Sequence, residues 1–160
     1  MAQYHLLNTG SATAPEDTWA KAFTTLSSAA AGMAAGDILF AASAHAESGA
    51  GSTLVFPGTV ASPNQIIGGT PGATSGLTAT ATGAAVTVTG SSGWSIQGSF
   101  FMEDVRFIFS QTSSVANNIG NASGNVQRYK GCDFSMQSSA ASSQIVFGSS
   151  LTSISHKISL

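Results

Sequence analysis

An apolar pattern in the stretch FFMEDVRFIF, residues 100–109, recurs along the last sixty residues of the chain. One apolar residue is followed by two residues of any type, and then by three apolar residues at alternate positions. The three copies are Met102, Val105, Phe107 and Phe109; Tyr129, Cys132, Phe134 and Met136; and Leu151, Ile154, His156 and Ile158. Because alternate residues of a strand point to the same face, each copy predicts a strand with one apolar face.

The copies begin 27 and 22 residues apart. Repeats of this length are typical of solenoids, in which each repeat stacks on its neighbours and buries a continuous core. The Ser-, Asn- and Gly-rich segments 110–125 and 137–150 are then expected to be outward turns and loops. A β-rich sequence can also produce three such copies by chance, and the third copy is imperfect because His156 replaces an aromatic residue.

The sequence as a whole predicts an arm and a domain. Residues 1–18 are predicted to form an amino-terminal arm, and residues 19–160 a single β-solenoid domain with three regions. In that domain, Trp19, Phe23, Leu26 and Met33 recur at helical spacing and predict a capping helix over about residues 18–34. An irregular β region over 37–92 includes the sequence LTATATGAAVTVT, predicted as two strands broken at Gly83, and the repeating coils occupy 93–160.

The chain has very few charged residues. Asp, Glu, Lys and Arg make up 8% of it, against about 25% in an average soluble protein, and the net charge is −2. A surface so poor in charge gives weak protection against self-association, so we expect other chains to cover much of it. Without a basic stripe, nucleic-acid binding has no electrostatic basis.

The single cysteine and the amino-terminal residues indicate the cellular compartment in which the chain is made. Cys132 cannot form a disulfide within the chain, and its place in the repeat predicts a small buried apolar residue. The start MAQYHLLNTG lacks the basic and apolar regions of a secretory signal, and no stretch approaches the ~20 apolar residues of a membrane span. We therefore expect a soluble protein without membrane contact, made in a reducing cytoplasm.

The combination of helix, strand and repeat resembles a known family. The segment DTWAKAFTTLSSAAAGMAAGDILFAASAHAE at 17–47 is similar to the capping helix and first strand of right-handed parallel β-helices, and FFMEDVRFIF and RYKGCDFSM are similar to their successive coils. Such helices occur in bacteriophage tailspikes, related virion proteins and the pectate-lyase superfamily. The resemblance implies an all-β fold, a short right-handed parallel β-helix-like solenoid with one amino-terminal capping helix. It also implies trimeric assembly in a phage particle.

A glycosidase or lyase would need paired carboxyl groups. The best candidates are Glu103 and Asp104 with Asp133, because an offset of 27 residues would place them on adjacent coils. The same alignment sets Asp133 level with Arg106, and either an ion pair between coils or a solvated polar face explains these residues more simply. We therefore expect no enzymatic activity.

A metal or cofactor site has little support. His45 and Glu47 alternate along a strand-like segment and could share one face as two ligands. A structural or catalytic zinc site needs three or four protein ligands, so a histidine beside a carboxylate is the simpler interpretation. We expect no cofactor and no metal.

The resemblance to virion proteins implies a location on a phage particle, and the scarcity of charged and titratable residues favours, within that group, a capsid decoration or cement protein, a homotrimer that binds the major capsid protein on the surface of the virion. The expected structural or interface residues are Trp19, Phe23, Trp94, Phe107, Phe134, His156 and Leu160. The alternative is a tailspike or fibre module that binds, or less plausibly cleaves, host polysaccharide. Such a module would expose aromatic and Asn side chains, with Trp94, Tyr129 and the loop at 117–125 as its best candidates.

Overall fold

The computed structural model describes residues 1–120 and 124–148, and these ranges are mostly β, with one α-helix and one turn of 3-10 helix at Trp19–Lys21. The helix α1 covers Leu26–Gly32. The strands are β1 (Gln3–Leu6), β2 (Ile38–Ala42), β3 (Ala46–Ala50), β4 (Thr53–Val55), β5 (Asn64–Pro71), β6 (Leu77–Thr80), β7 (Ala84–Thr89), β8 (Ser95–Gln97), β9 (Phe100–Glu103), β10 (Val105–Phe109), β11 (Ala116–Ile119), β12 (Gln127–Lys130), β13 (Asp133–Met136) and β14 (Gln144–Phe147). The predicted all-β class is confirmed.

The strands pair into three sheets, and apart from β6 all pairs are parallel. The first sheet has the order β1-β2-β5-β9-β12, with β6 antiparallel to β5; the second is β3-β7-β10-β13 and the third β4-β8-β11-β14. From β2 onward the chain visits the first, second and third sheets in the same order, and each round is called a pass here. The described residues make four passes, which begin at β2, β5, β9 and β12.

The register confirms the predicted 27-residue offset between the first two copies of the repeat. Met102 pairs with Tyr129, and Phe107 with Phe134. The first copy is fully buried, and its aromatic rings continue into the next pass, where the rings of Phe107 and Phe134 stack with centroids 5.3 Å apart. The third copy, at 151–158, lies outside the described residues.

The same pattern extends backward into the region predicted to be irregular. Ile66 pairs with Met102, and Val86 pairs with Phe107. The sequence separation between paired residues of the second and third passes is therefore 36 residues in the first sheet but 21 in the second. The difference arises because the second pass contains the extra strand β6, which folds back on β5. That insertion hides the period from the sequence, although Gly83 does separate β6 from β7 as predicted.

The third sheet corrects another expectation. Segments 110–125 and 137–150, predicted as loops, contain β11 and β14. Asn117 occupies an inward position of β11 and is completely buried. Its Oδ1 accepts hydrogen bonds from the backbone N–H of Trp94 (3.1 Å) and from Nε2 of Gln111 (2.5 Å). Because hydrogen-bonded side-chain amides, and not apolar groups, occupy interior positions here, the sequence of β11 has the composition of a loop.

The amino-terminal residues differ from the predicted arm and single helix. β1 pairs in parallel with β2, so residues 3–6 belong to the first sheet. Phe23 bridges to Leu6, and its N–H donates to the carbonyl of His5 at 2.8 Å, which holds the backbone out of the helical conformation. The predicted helix over about 18–34 is therefore divided, and the side chain of Thr25 caps α1 by accepting from the N–H of Ser28.

Candidate functional site

Six charged side chains lie close together on the third and fourth passes. They are Glu103, Asp104, Arg106, Arg128, Lys130 and Asp133, half of the twelve charged residues of the chain, and they are called the charged strip here. Glu103 lies on β9, Arg106 on β10, and Asp104 in the turn between them. Strands β12 and β13 carry the other three. Parallel pairing without a register shift places side chains of consecutive passes side by side.

Two ion pairs join the passes within the charged strip. Nζ of Lys130 lies 2.5 Å from Oε1 of Glu103, and Nε of Arg106 lies 3.0 Å from Oδ2 of Asp133. The hydrogen bond and the charge of Glu103 raise the pKa of Lys130. Of the two sequence-based explanations for Arg106 and Asp133, the structure shows the ion pair. Both carboxylates thus have a fixed cationic partner, and this geometry explains their positions without any substrate.

Asp104 forms the turn between β9 and β10. Its φ of +56° lies in the left-handed region, and Gly131 occupies the equivalent turn of the next pass with a φ of +62°. Oδ1 of Asp104 accepts a hydrogen bond from the hydroxyl of Thr82 at 3.2 Å. This carboxylate therefore ties the turn to the end of the inserted hairpin, a structural use of the third candidate acid.

His45 and Glu47 do come together near the amino end. Nε2 of the buried His45 lies 3.6 Å from Oε2 of Glu47, and the same oxygen accepts a hydrogen bond from the N–H of Leu26 at 2.9 Å. Glu47 is thus bound to the first turn of α1. Within residues 1–120 and 124–148, no group of three or more His, Cys, Asp or Glu residues is placed to hold a metal ion.

Trp94 and Tyr129, the two aromatic residues considered for sugar binding, are buried, and so is Trp19. Trp94 is 5% exposed and packs on Phe107, with ring centroids 5.0 Å apart. Tyr129 is 2% exposed, and its hydroxyl donates to Oε1 of Gln127 at 2.8 Å. Trp19 is also buried, and its Nε1 donates to the carbonyl of Gly76 at 3.2 Å. None of these three rings offers an exposed face on which a sugar could stack.

Among the other interface candidates, Phe23 is buried and Phe134 is partly buried against the core. His156 and Leu160 lie outside the described residues. Cys132 is buried as predicted, and burial raises the pKa of its thiol to about 11. A thiol with so high a pKa is almost entirely protonated at neutral pH, so Cys132 serves as a core residue.

The last described pass forms an apolar surface, called the terminal face here. Its side chains are Phe134, Met136, Ile145 and Phe147. The first three are partly buried against the core, whereas Phe147 is 37% exposed. The ring of Phe147 meets that of Phe134 edge to face, with centroids 5.2 Å apart. The sequence repeat includes Phe134 and Met136. It does not include Ile145 and Phe147, because these residues lie in a segment with loop composition.

Comparisons add no named relative: no family model, no curated protein and no solved structure matches the chain. In the part of the chain that the structure describes, no helix has the length and apolar character needed to cross a membrane.

Proposed function

We propose that this protein is a non-enzymatic structural subunit of a bacteriophage particle, a capsid decoration protein that assembles as a homotrimer on the major capsid protein. It would be made in the cytoplasm of the bacterial host and located on the capsid surface. The proposal joins the resemblance of residues 17–47 and 100–136 to virion β-helices with one structural observation, the terminal face.

The terminal face supports assembly through two features of the described residues. β12, β13 and β14 are each the last strand of their sheet within residues 1–120 and 124–148, and a strand at the edge of a sheet is able to pair with a further strand. Phe147 adds an exposed aromatic side chain beside those edges. Covering apolar surface stabilises an assembly by about 25 cal/mol per Å² removed from water, which favours a partner at this end.

The proposed fold is a right-handed parallel β-helix of four coils, one for each pass. Three parallel sheets visited in constant order support this proposal. Such a stack has two unlike ends, and here α1 packs near the first pass, with Leu26, Ala29 and Ala30 buried. A covered amino end and an apolar terminal face suit a subunit that attaches in one orientation.

The paired acids of the charged strip favour a structural function over catalysis. Glu103 and Asp133 each contact a cation of the neighbouring pass. They would stabilise the third and fourth passes against each other, next to the end at which the partner is expected to bind.

Electron microscopy of purified phage particles that contain this chain tests the proposal. We expect threefold density over the capsid lattice, at sites that accommodate the four passes. Density confined to the tail would contradict the decoration function. Loss of the threefold density in particles that carry the Phe147→Asp variant, but not in those that carry Val55→Asp, would identify the terminal face as the site of assembly. Val55 is a suitable control because it is an exposed apolar residue of the same sheet, in the first pass.

A further inference from the structure

A pocket of about 350 Å³ lies beside strands β9 and β12 of the first sheet. Its lining residues are Val60, Pro63, Phe100, Phe101, Val126 and Arg128. Five of them are apolar and one is a cation. The volume lies at the lower end of the range for ligand sites, which is large enough for one or two amino-acid side chains.

One wall of the pocket is a hydrogen-bonded turn. The N–H of Thr59 donates to the carbonyl of Ser62 at 3.1 Å, and the N–H of Ser62 donates to the carbonyl and to the hydroxyl oxygen of Thr59 at 3.2 and 3.1 Å. Val60 lies within this turn and is 60% exposed. A ligand that covers Val60 would therefore remove an exposed apolar side chain from water, which favours binding.

The floor of the pocket comes from two paired strands. Phe101 on β9 is in register with Arg128 on β12, and both point outward, since their neighbours Phe100 and Gln127 are buried. The exposed guanidinium group therefore lies beside a partly exposed phenyl ring at the mouth of an apolar recess.

Arg128 differs from the other cations of the described residues. Lys21, Arg106 and Lys130 each have a carboxylate within 4 Å, whereas Arg128 has none in residues 1–120 and 124–148. A guanidinium group binds a carboxylate through two parallel N–H bonds. An arginine that has no carboxylate partner among the described residues, beside an apolar recess, complements a ligand that carries one carboxylate next to an apolar group.

We propose that this pocket docks a peptide segment of a protein partner in which an apolar residue adjoins an Asp or Glu. The apolar side chain enters between Val60 and Phe101, and the carboxylate binds Arg128. Nucleic acid fits the site poorly, because phosphate backbones are bound by several cations and the described lining of this pocket contains one. The described lining of the pocket shares no residue with the terminal face, so peptide binding can be tested separately from assembly.

Titration of the isotope-labelled full chain with two peptides, followed by NMR, tests the proposal. The probe is acetyl-Gly-Leu-Asp-Gly-amide, and its matched control carries Asn in place of Asp. We expect the Asp peptide to shift the resonances of Val60, Phe101 and the Arg128 Nε–H, and to bind about fivefold or more tightly than the Asn peptide, since the interaction with a charged acceptor is the stronger one.

The variant Arg128→Gln should lower the affinity for the Asp peptide to that for the Asn peptide. Arg106→Gln is the matched control, because Arg106 is already paired with Asp133 and should leave binding unchanged. Equal affinities of the two peptides for the wild-type chain, or full binding by Arg128→Gln, would overturn the proposal. So would octanoate binding at the same residues more tightly than the Asp peptide, which would identify a free carboxylic acid as the occupant.

Discussion

At the scale of single residues, His5 joins distant parts of the amino-terminal half. The Nε2 atom accepts a hydrogen bond from the N–H of Gly76 at 2.9 Å, so the proton of the neutral ring lies on Nδ1, which donates to the carbonyl of Glu16 at 3.2 Å. The ring also packs edge to face on Trp19, with centroids 4.5 Å apart. One neutral imidazole thus ties the inserted hairpin to the segment before α1.

This geometry predicts a loss of stability in mild acid. Burial lowers the pKa of His5 below its ordinary value of about 6.5, although the hydrogen bond to Glu16 and the charge of Asp17 oppose the shift. Asp17 itself pairs with Lys21 at 3.3 Å. The unfolded chain binds the proton more readily than the folded chain. The stabilising contribution of neutral His5 is therefore fully present above pH 6.5 and is lost as the pH drops through the pKa of the folded state.

Thermal unfolding of the wild-type chain and of His5→Gln, at pH 7.5 and pH 5, measures this effect. The glutamine can accept from Gly76 but does not titrate, so the variant should lose less stability between the two pH values. The wild-type Gly76 amide resonance should move on acidification, whereas that of the variant should stay in place. An equal pH dependence in both proteins would contradict the assignment.

At the scale of elements, the strands show which residues a sequence can locate. Phe107 and Phe134 were predictable because both fill inward positions with large apolar side chains, which mark a strand directly. Asn117 fills an inward position with an amide that is bonded to Gln111 and to the Trp94 backbone, so its strand was predicted as a loop. The sequence pattern therefore located the second sheet of the later passes and missed the third sheet.

The functional candidates were likewise predictable from the sequence only in part. The Arg106 and Asp133 pair could be predicted because both residues lie inside a visible repeat with constant spacing. The Arg128 pocket could not, since its wall near Val60 belongs to a different pass from its floor. Contacts between passes of unequal length depend on the inserted hairpin, whose size the local pattern does not encode.

Two strand glycines provide a prediction about packing within these elements. A Cβ at Gly68 in β5 would overlap the backbone carbonyl oxygen of Asp104, whereas a Cβ at Gly49 in β3 would meet no heavy atom within 4 Å. Gly68→Ala should therefore lower the free energy of unfolding by about 1–3 kcal/mol, as overpacking does. Gly49→Ala should leave it unchanged or raise it slightly, since alanine restricts the unfolded chain.

Urea unfolding of both variants and the wild-type chain measures this difference. Gly49→Ala controls for the general effect of a strand glycine, because neither position has a positive φ. A loss of stability of similar size in both variants would show that the turn at Asp104 does not lie against β5.

At the scale of the whole molecule, the four passes have unlike ends. The amino end is covered by β1 and α1, and the other end, among the described residues, is the terminal face. The scarcity of charge seen in the sequence fits this arrangement, since half of the charged residues are confined to the charged strip. We therefore propose that other copies of the chain cover the terminal face.

The mass of the purified protein in solution, measured by light scattering across a range of concentrations, tests that claim most directly. We predict a mass three times the 16.0 kDa of the chain for the wild type and for Val55→Asp, and a monomer for Phe147→Asp with an unchanged circular dichroism spectrum. A wild-type protein that stays monomeric at every concentration, or a Phe147→Asp variant that keeps the wild-type mass, would contradict the account.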